Sequence, residues 1–245
     1  MIGASKATTT RAYQLLGTTT ITSTGAQSYT IIAGTVYVEV EMWGAGGGGG
    51  WGTYTSGRKG TSHNAAGGGG GGAYVKHQVR IADLRKDDTL NFTVGAGGAG
   101  DTNQNSGGAV GGDTSIDTHK RSTTTITSFS SITAGGAEGG QSQGISVGSN
   151  FDGDGGVATN GNITNTNGTD GGVRPSSSSS AVAGAAGGAG ANGGAGGAGG
   201  ITSFSSGNIA DAGDVPGGGG GGGASTSETI GGAGRAGQVI IKAYG

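Results

Sequence analysis

Strict alternation of apolar and polar positions marks a few short stretches of this chain and is missing from the rest. Val36–Trp43 sets Val36, Val38, Val40 and Met42 against Tyr37, Glu39, Glu41 and Trp43. Ala73–Ile81 sets Val75, His77, Val79 and Ile81 against Tyr74, Lys76, Gln78 and Arg80. Thr89–Val94 aligns Leu90, Phe92 and Val94, and Gln238–Tyr244 aligns Val239, Ile241 and Ala243. With Gln27–Ile32 leading in, these segments predict half-buried, antiparallel β-strands, because a period of two puts one side of a strand on a core and the other in water. The polar link Ala82–Asp88 predicts an exposed hairpin connection.

Between the strands lie glycines, 64 of them in 245 residues, gathered into Gly46–Gly50, Gly67–Gly72 and Gly217–Gly223 and a Gly/Ala tract over Ala183–Gly200. Glycine weakens the interior of a helix or strand, so such runs are either a linker or a structure that requires the missing side chain. The tract decides the matter. From Ala183 every third residue (Ala183, Ala186, Ala189, Asn192, Ala195, Ala198) carries a side chain, every second place is glycine, and the third is glycine or alanine. Three residues per turn is the period of the extended left-handed helix, which makes no internal hydrogen bonds and turns its N–H and C=O groups sideways. Glycine faces let such helices approach and bond to one another, whereas Gly/Ser linkers have no three-residue register. Collagen shares the period, but this chain has two prolines. Glycine blocks begin where strands stop, at Trp43, Val94 and the start of Gln238–Tyr244. The predicted architecture is all-β: a small antiparallel β-sandwich carrying a bundle of polyglycine II-type helices joined by loops. Residues 26–245 form this domain, behind a polar, Thr-rich arm over residues 1–25.

Composition narrows the chemistry. Apolar residues are 31% of the chain, thin for a conventional core, and the net charge is −2. No basic stripe exists to neutralise phosphates, which argues against nucleic acid. Cysteine is absent, which excludes disulfides and thiolate sites. No segment approaches the roughly 20 apolar residues of a membrane helix, and the first 17 residues lack a signal peptide's apolar centre. GxGxxG recurs because glycine is abundant, not within a strand–turn–helix unit. Asp152-Gly153-Asp154-Gly155 hints at calcium, but the twelfth position of such a loop is Ile163, which cannot chelate. His63, His77 and His119 lack metal-ligand spacing. The expectation is a protein that is not an enzyme and needs no cofactor or metal.

The segment Ser28-Tyr29-Thr30-Ile31, Ala33-Gly34-Thr35 and Val38-Glu39-Val40-Glu41-Met42-Trp43-Gly44-Ala45-Gly46-Gly47 resembles the opening of the glycine-rich domain of tailed-phage virion proteins. The later strings Phe92-Thr93-Val94-Gly95-Ala96-Gly97, Gly111-Gly112-Asp113-Thr114-Ser115 and Gly237-Gln238-Val239-Ile240-Ile241-Lys242 follow in the same order. The resemblance covers about residues 25–245. It implies a bacteriophage virion component, with the tail or fibre favoured over the head. Some such proteins are tail-fibre adhesins that recognise bacteria through loops joining polyglycine helices. Here the loops are rich in Ser, Thr and Asn rather than in aromatic residues.

On that reading the arm docks onto other virion proteins, and the loops meet a bacterial surface glycan or outer-membrane protein. Candidate receptor contacts are Trp51, Tyr54 and Arg58 in the excursion after the first glycine block, and Phe151 and Asp152 in the long Gln141–Ser180 stretch. Trp51 has a second reading, packing on glycine backbone. Gly69, Gly196 and Gly220 are the scaffold positions where a side chain would force rods apart. A capsid decoration or head-fibre role is the alternative, and an ice-binding protein a remoter one.

Overall fold

The computed structural model describes residues 13–57, 60–80, 84–103, 106–129, 132–142, 152–174, 176–177, 182–201, 209–225 and 229–245. Among these the chain is all-β, without a helix, and every strand pairing is antiparallel. Strands are numbered in chain order. One sheet runs β1 (Leu15–Ile21), β14 (Gln238–Tyr244), β3 (Tyr37–Trp43), β6 (Tyr74–Val79), β12 (Thr164–Thr166). A second runs β11 (Ala158–Thr159), β10 (Thr133–Ala134), β8 (Thr114–Arg121), β7 (Thr89–Val94), β2 (Gly25–Thr30), with β9 (Thr124–Ser128) also on β8. A small third sheet joins β13 (Ser176–Ser177), β5 (Gly60–Asn64) and β4 (Thr53–Gly57).

The first two sheets share one core. Val38, Val40, Met42, Val75, Val239 and Ile241 from the first meet Leu90, Phe92, Val94 and Ile116 from the second, all at or near zero exposure. The alternation in β3, β6, β7 and β14 therefore reads correctly. On the outer side of the first sheet, Lys76 pairs with Glu39 at 2.8 Å and Lys242 with Glu41 at 2.6 Å, and Tyr37 stacks on Tyr244.

Three expectations change. Val36 precedes β3 and is half exposed, since the chain reaches the core only from Val38 onward. The Ala82–Asp88 link is not a hairpin: β6 and β7 lie in different sheets, so this segment crosses from one to the other. It is pinned there, with the Ile31 N–H donating to the Asp88 carbonyl and the Asp87 N–H to the Ile31 carbonyl. The polar lead is also partly sheet, because Leu15–Ile21 pairs along β14.

The glycine segments leave the ends of the strands and bond to each other through backbone alone. From Ala45 to Gly50, successive N–H groups reach Gly112, Arg235, Gly70, Ala109, Gly232 and Gly67. Residues three apart thus return to the same neighbour, displaced by three. The next glycine segment behaves alike: Ala66, Gly69 and Gly72 donate to Gly223, Gly220 and Gly217, and Gly67 and Gly70 to Gln141 and Glu138. Solvent exposure follows the same period. In the tract, Ala183, Ala186, Ala189, Asn192, Ala195 and Ala198 are exposed, while Gly184, Gly187, Gly190, Gly194, Gly197 and Gly200 are not.

This explains where glycine is pure and where it is diluted. Gly46–Gly50, Gly67–Gly72 and Gly217–Gly223 are buried along their whole length. A segment surrounded on every side has no direction in which a side chain fits, so all three places are glycine. A peripheral segment has one open direction, and alanine or asparagine stands there. A Cβ at Gly69, Gly196 or Gly220 would overlap the carbonyl oxygen of Gly47, Gly187 or Gly232 respectively.

Candidate functional site at the loop end

Strands enter and leave the glycine segments at one end, so the far ends of the segments gather at the other. Short-range bonds bring their bases together. Gly52 and Thr229 form a bridge, as do Gly107 and Gln141. The Val182 N–H donates to Ser225 Oγ at 2.8 Å, and Ser225 Oγ donates back to the Val182 carbonyl. Segments starting or ending at residues 52, 101, 107, 142, 182, 225 and 229 therefore emerge as one surface. The β4–β5 hairpin rises from it, with β13 added along β5.

Beneath the loops sits a buried polar knot. Asp101 is 6% exposed and Ser142 fully buried. Ser142 Oγ donates to Asp101 Oδ2 and itself accepts the Trp51 N–H at 2.6 Å. Asp101 Oδ1 accepts Ser106 Oγ at 2.7 Å and the Asn103 N–H at 3.2 Å. One carboxylate thus ties three connections together, with each buried oxygen given a donor. Neither Asp101 nor Ser142 stands out in the sequence; the only signal is an aspartate placed directly after a glycine segment.

The candidate contacts fall in different places. Trp51 is 6% exposed, so its side chain is buried. Tyr54 lies in β4 opposite His63. Arg58 and Phe151 lie outside the described residues. Asp152 is half-buried, and its Oδ1 has no hydrogen-bond partner among the described residues.

Elsewhere, ionisable groups converge at the opposite end. Asp88, 2% exposed, accepts His119 Nε2 at 2.9 Å, Arg121 Nε and Nη2 at 3.0 Å each, and the Arg85 N–H at 3.0 Å. The Arg121 guanidinium, aided by His119 and the Arg85 N–H against the cost of burial, holds the Asp88 carboxyl well below the usual carboxylate range. This cluster locks the crossing segment between the sheets. His77, whose imidazole is pushed below its ordinary value by burial, lines a cleft of about 430 Å³ with Gln78, Arg80, Thr127, Phe129 and Asn162. Among the described residues no group of three or more His, Asp or Glu side chains is placed to hold a metal ion, and no helix is long and apolar enough to cross a membrane.

Set against known proteins, residues 21–244 match a family described as a glycine-rich domain. No curated protein matches the chain.

Proposed function

Given that the chain belongs to the glycine-rich domain family over residues 21–244, we propose that it is a non-enzymatic phage virion protein that presents loops from a polyglycine II bundle. Its role is host recognition at the tail or a fibre, with the lead over residues 1–25 attaching it to another virion component and the loop end meeting a bacterial surface glycan or outer-membrane protein.

What carries the reading is the division of labour along the molecule. Side chains are concentrated in the sandwich and in the loops, whereas the segments between them interlock through peptide groups every third residue. A scaffold bonded through its backbone is indifferent to loop sequence, so the loop end can vary while the supporting rods stay fixed. That is the arrangement a surface-recognition protein requires. It offers no comparable advantage to a catalyst, whose reacting groups need fixed, convergent side chains.

Two measurements on intact particles test this. Gold-labelled antibody against the chain is expected at the tail tip or fibre ends, and purified protein is expected to compete with particles for adsorption to the host. Label spread over the head would replace host recognition with capsid decoration, and absence of label from particles would end the virion assignment.

A further inference from the structure

The sandwich treats its two open sides differently. On one side the sheets end in β12 and β11, of three and two residues. There the Asn162 side chain fills the place of a missing strand: its Oδ1 accepts the Gln78 N–H at 2.7 Å and its Nδ2 donates to the Gln78 carbonyl at 2.9 Å. Very short edge strands and side chains that occupy the edge are the usual guards against pairing with another chain.

Among the described residues the other side has no such guard along most of its length. It is formed by β1 at the end of the first sheet and β2 at the end of the second, each of six or seven residues. β1 is regular along β14 from Gly17 to Ile21, past a bulge at Leu16, and β2 is regular along β7 throughout. No Asp, Glu, Lys or Arg occurs from Ala12 to Val38, a span that holds both strands and their connections. Exposed apolar side chains cluster on it: Tyr13, Leu15, Leu16, Ile32 and Val36 are each between 38% and 50% exposed. Their proximity is direct, since the Leu16 Cδ1 lies beside Gly34 and the Ile32 Cδ1 beside Gly17.

The geometry points to a second copy of this chain as the occupant of the β1–β2 side. An uncharged edge is met best by another uncharged edge, and the copy supplies one with no further requirement. β3 and β7 run toward the glycine segments and β14 away from them; β1, antiparallel to β14, runs toward them, and β2, antiparallel to β7, runs away. β1 and β2 therefore have opposite directions. A two-fold axis parallel to the rods sets β1 of one copy antiparallel to β2 of the other, twice, making an isologous contact. The first sheet of each copy then continues into the second sheet of its partner. Because β1 and β2 are joined through only Thr22–Thr24, they lie at the same height and the copies meet without sliding. Both loop ends face the same way.

Sedimentation velocity on the full chain tests this. A dimer is expected across the micromolar range. Thr18→Lys combined with Thr20→Lys puts charge on the exposed edge strand β1, which would have to be desolvated against the uncharged β2 of the other copy, and is expected to give a monomer, with circular dichroism and cooperative thermal unfolding retained. The chain has no cysteine, so Thr18→Cys and Ser28→Cys variants, both on outward-facing positions, can be mixed with a short bismaleimide. Crosslinking between the two variants, and not of Thr18→Cys with itself, is expected. A wild-type monomer at all concentrations would overturn the proposal, as would a dimer that survives both lysines. Self-crosslinking of Thr18→Cys would overturn the β1–β2 arrangement.

Discussion

At the scale of single residues, Asp88 is the side chain on which most depends. It is buried, accepts the Arg121 guanidinium, His119 Nε2 and one backbone N–H, and holds the segment that crosses between the sheets. Asp88→Asn takes the counter-charge from the part-exposed Arg121 and leaves the buried His119 facing an amide, and is expected to destabilise the fold by about 3 kcal/mol. The sign of its pH dependence follows from the carboxyl being depressed in the folded protein. Asp88 contributes fully above the unfolded value of about 4, and the contribution fades as pH falls toward the folded value. Urea unfolding of wild type and Asp88→Asn should therefore differ by a constant amount from pH 5 to 7 and converge below about pH 4. Tyr74 is perturbed in the opposite direction, pushed up to about 12 by burial and then by Glu41, in a cluster with Trp43 and Ala191. There the Trp43 Nε1–H donates to the Asn192 carbonyl at 3.1 Å, fastening a turn of the glycine tract onto the sandwich.

At the scale of elements, the glycine segments obey a rule that separates neighbouring residues sharply. Gly187 is turned inward, and a Cβ there would overlap the Gly219 carbonyl oxygen, whereas Ala186 next to it faces water. Ala186→Ser is expected to leave the melting temperature within about a degree or two, since exposed substitutions seldom exceed about 0.5 kcal/mol. Gly187→Ala, and Gly→Val at Gly69, Gly196 or Gly220, are expected to abolish cooperative unfolding or make the chain protease-sensitive. Intact melting in all three valine variants would refute the interlocked-rod reading. The three-residue repeat was legible in the tract because alanine marks the open direction; in the pure glycine runs no letter marks anything, and only burial reveals them as central. Strands with alternating apolar residues were equally legible. β8 was not, because its inward places hold Thr114, Ile116 and His119, and its register slips at a bulge opposite Asn91 and Phe92. β1 was hidden for another reason: both of its faces are largely exposed, with only Gly17 and Ile21 half-buried, so it needs no apolar alternation.

At the scale of the whole molecule, the loop end was visible in the sequence only as a set of interruptions in glycine. That they gather at one end follows from topology, since each excursion must return to the sheet it left. The knot of Asp101, Ser142 and Trp51 could not be anticipated, because its members are far apart in sequence and meet only when the segments are laid side by side. The near absence of side chains along the glycine segments has a thermodynamic consequence as well. Unfolding a conventional domain exposes hydrocarbon and raises the heat capacity by about 12–15 cal/mol/K per residue, while exposing peptide groups lowers it. Here a large share of the newly wetted surface is peptide, so calorimetry should return a specific heat-capacity increment below that range. A smaller increment flattens the dependence of stability on temperature. The fold would then lose little on cooling and would keep its shape over a wide span of temperature.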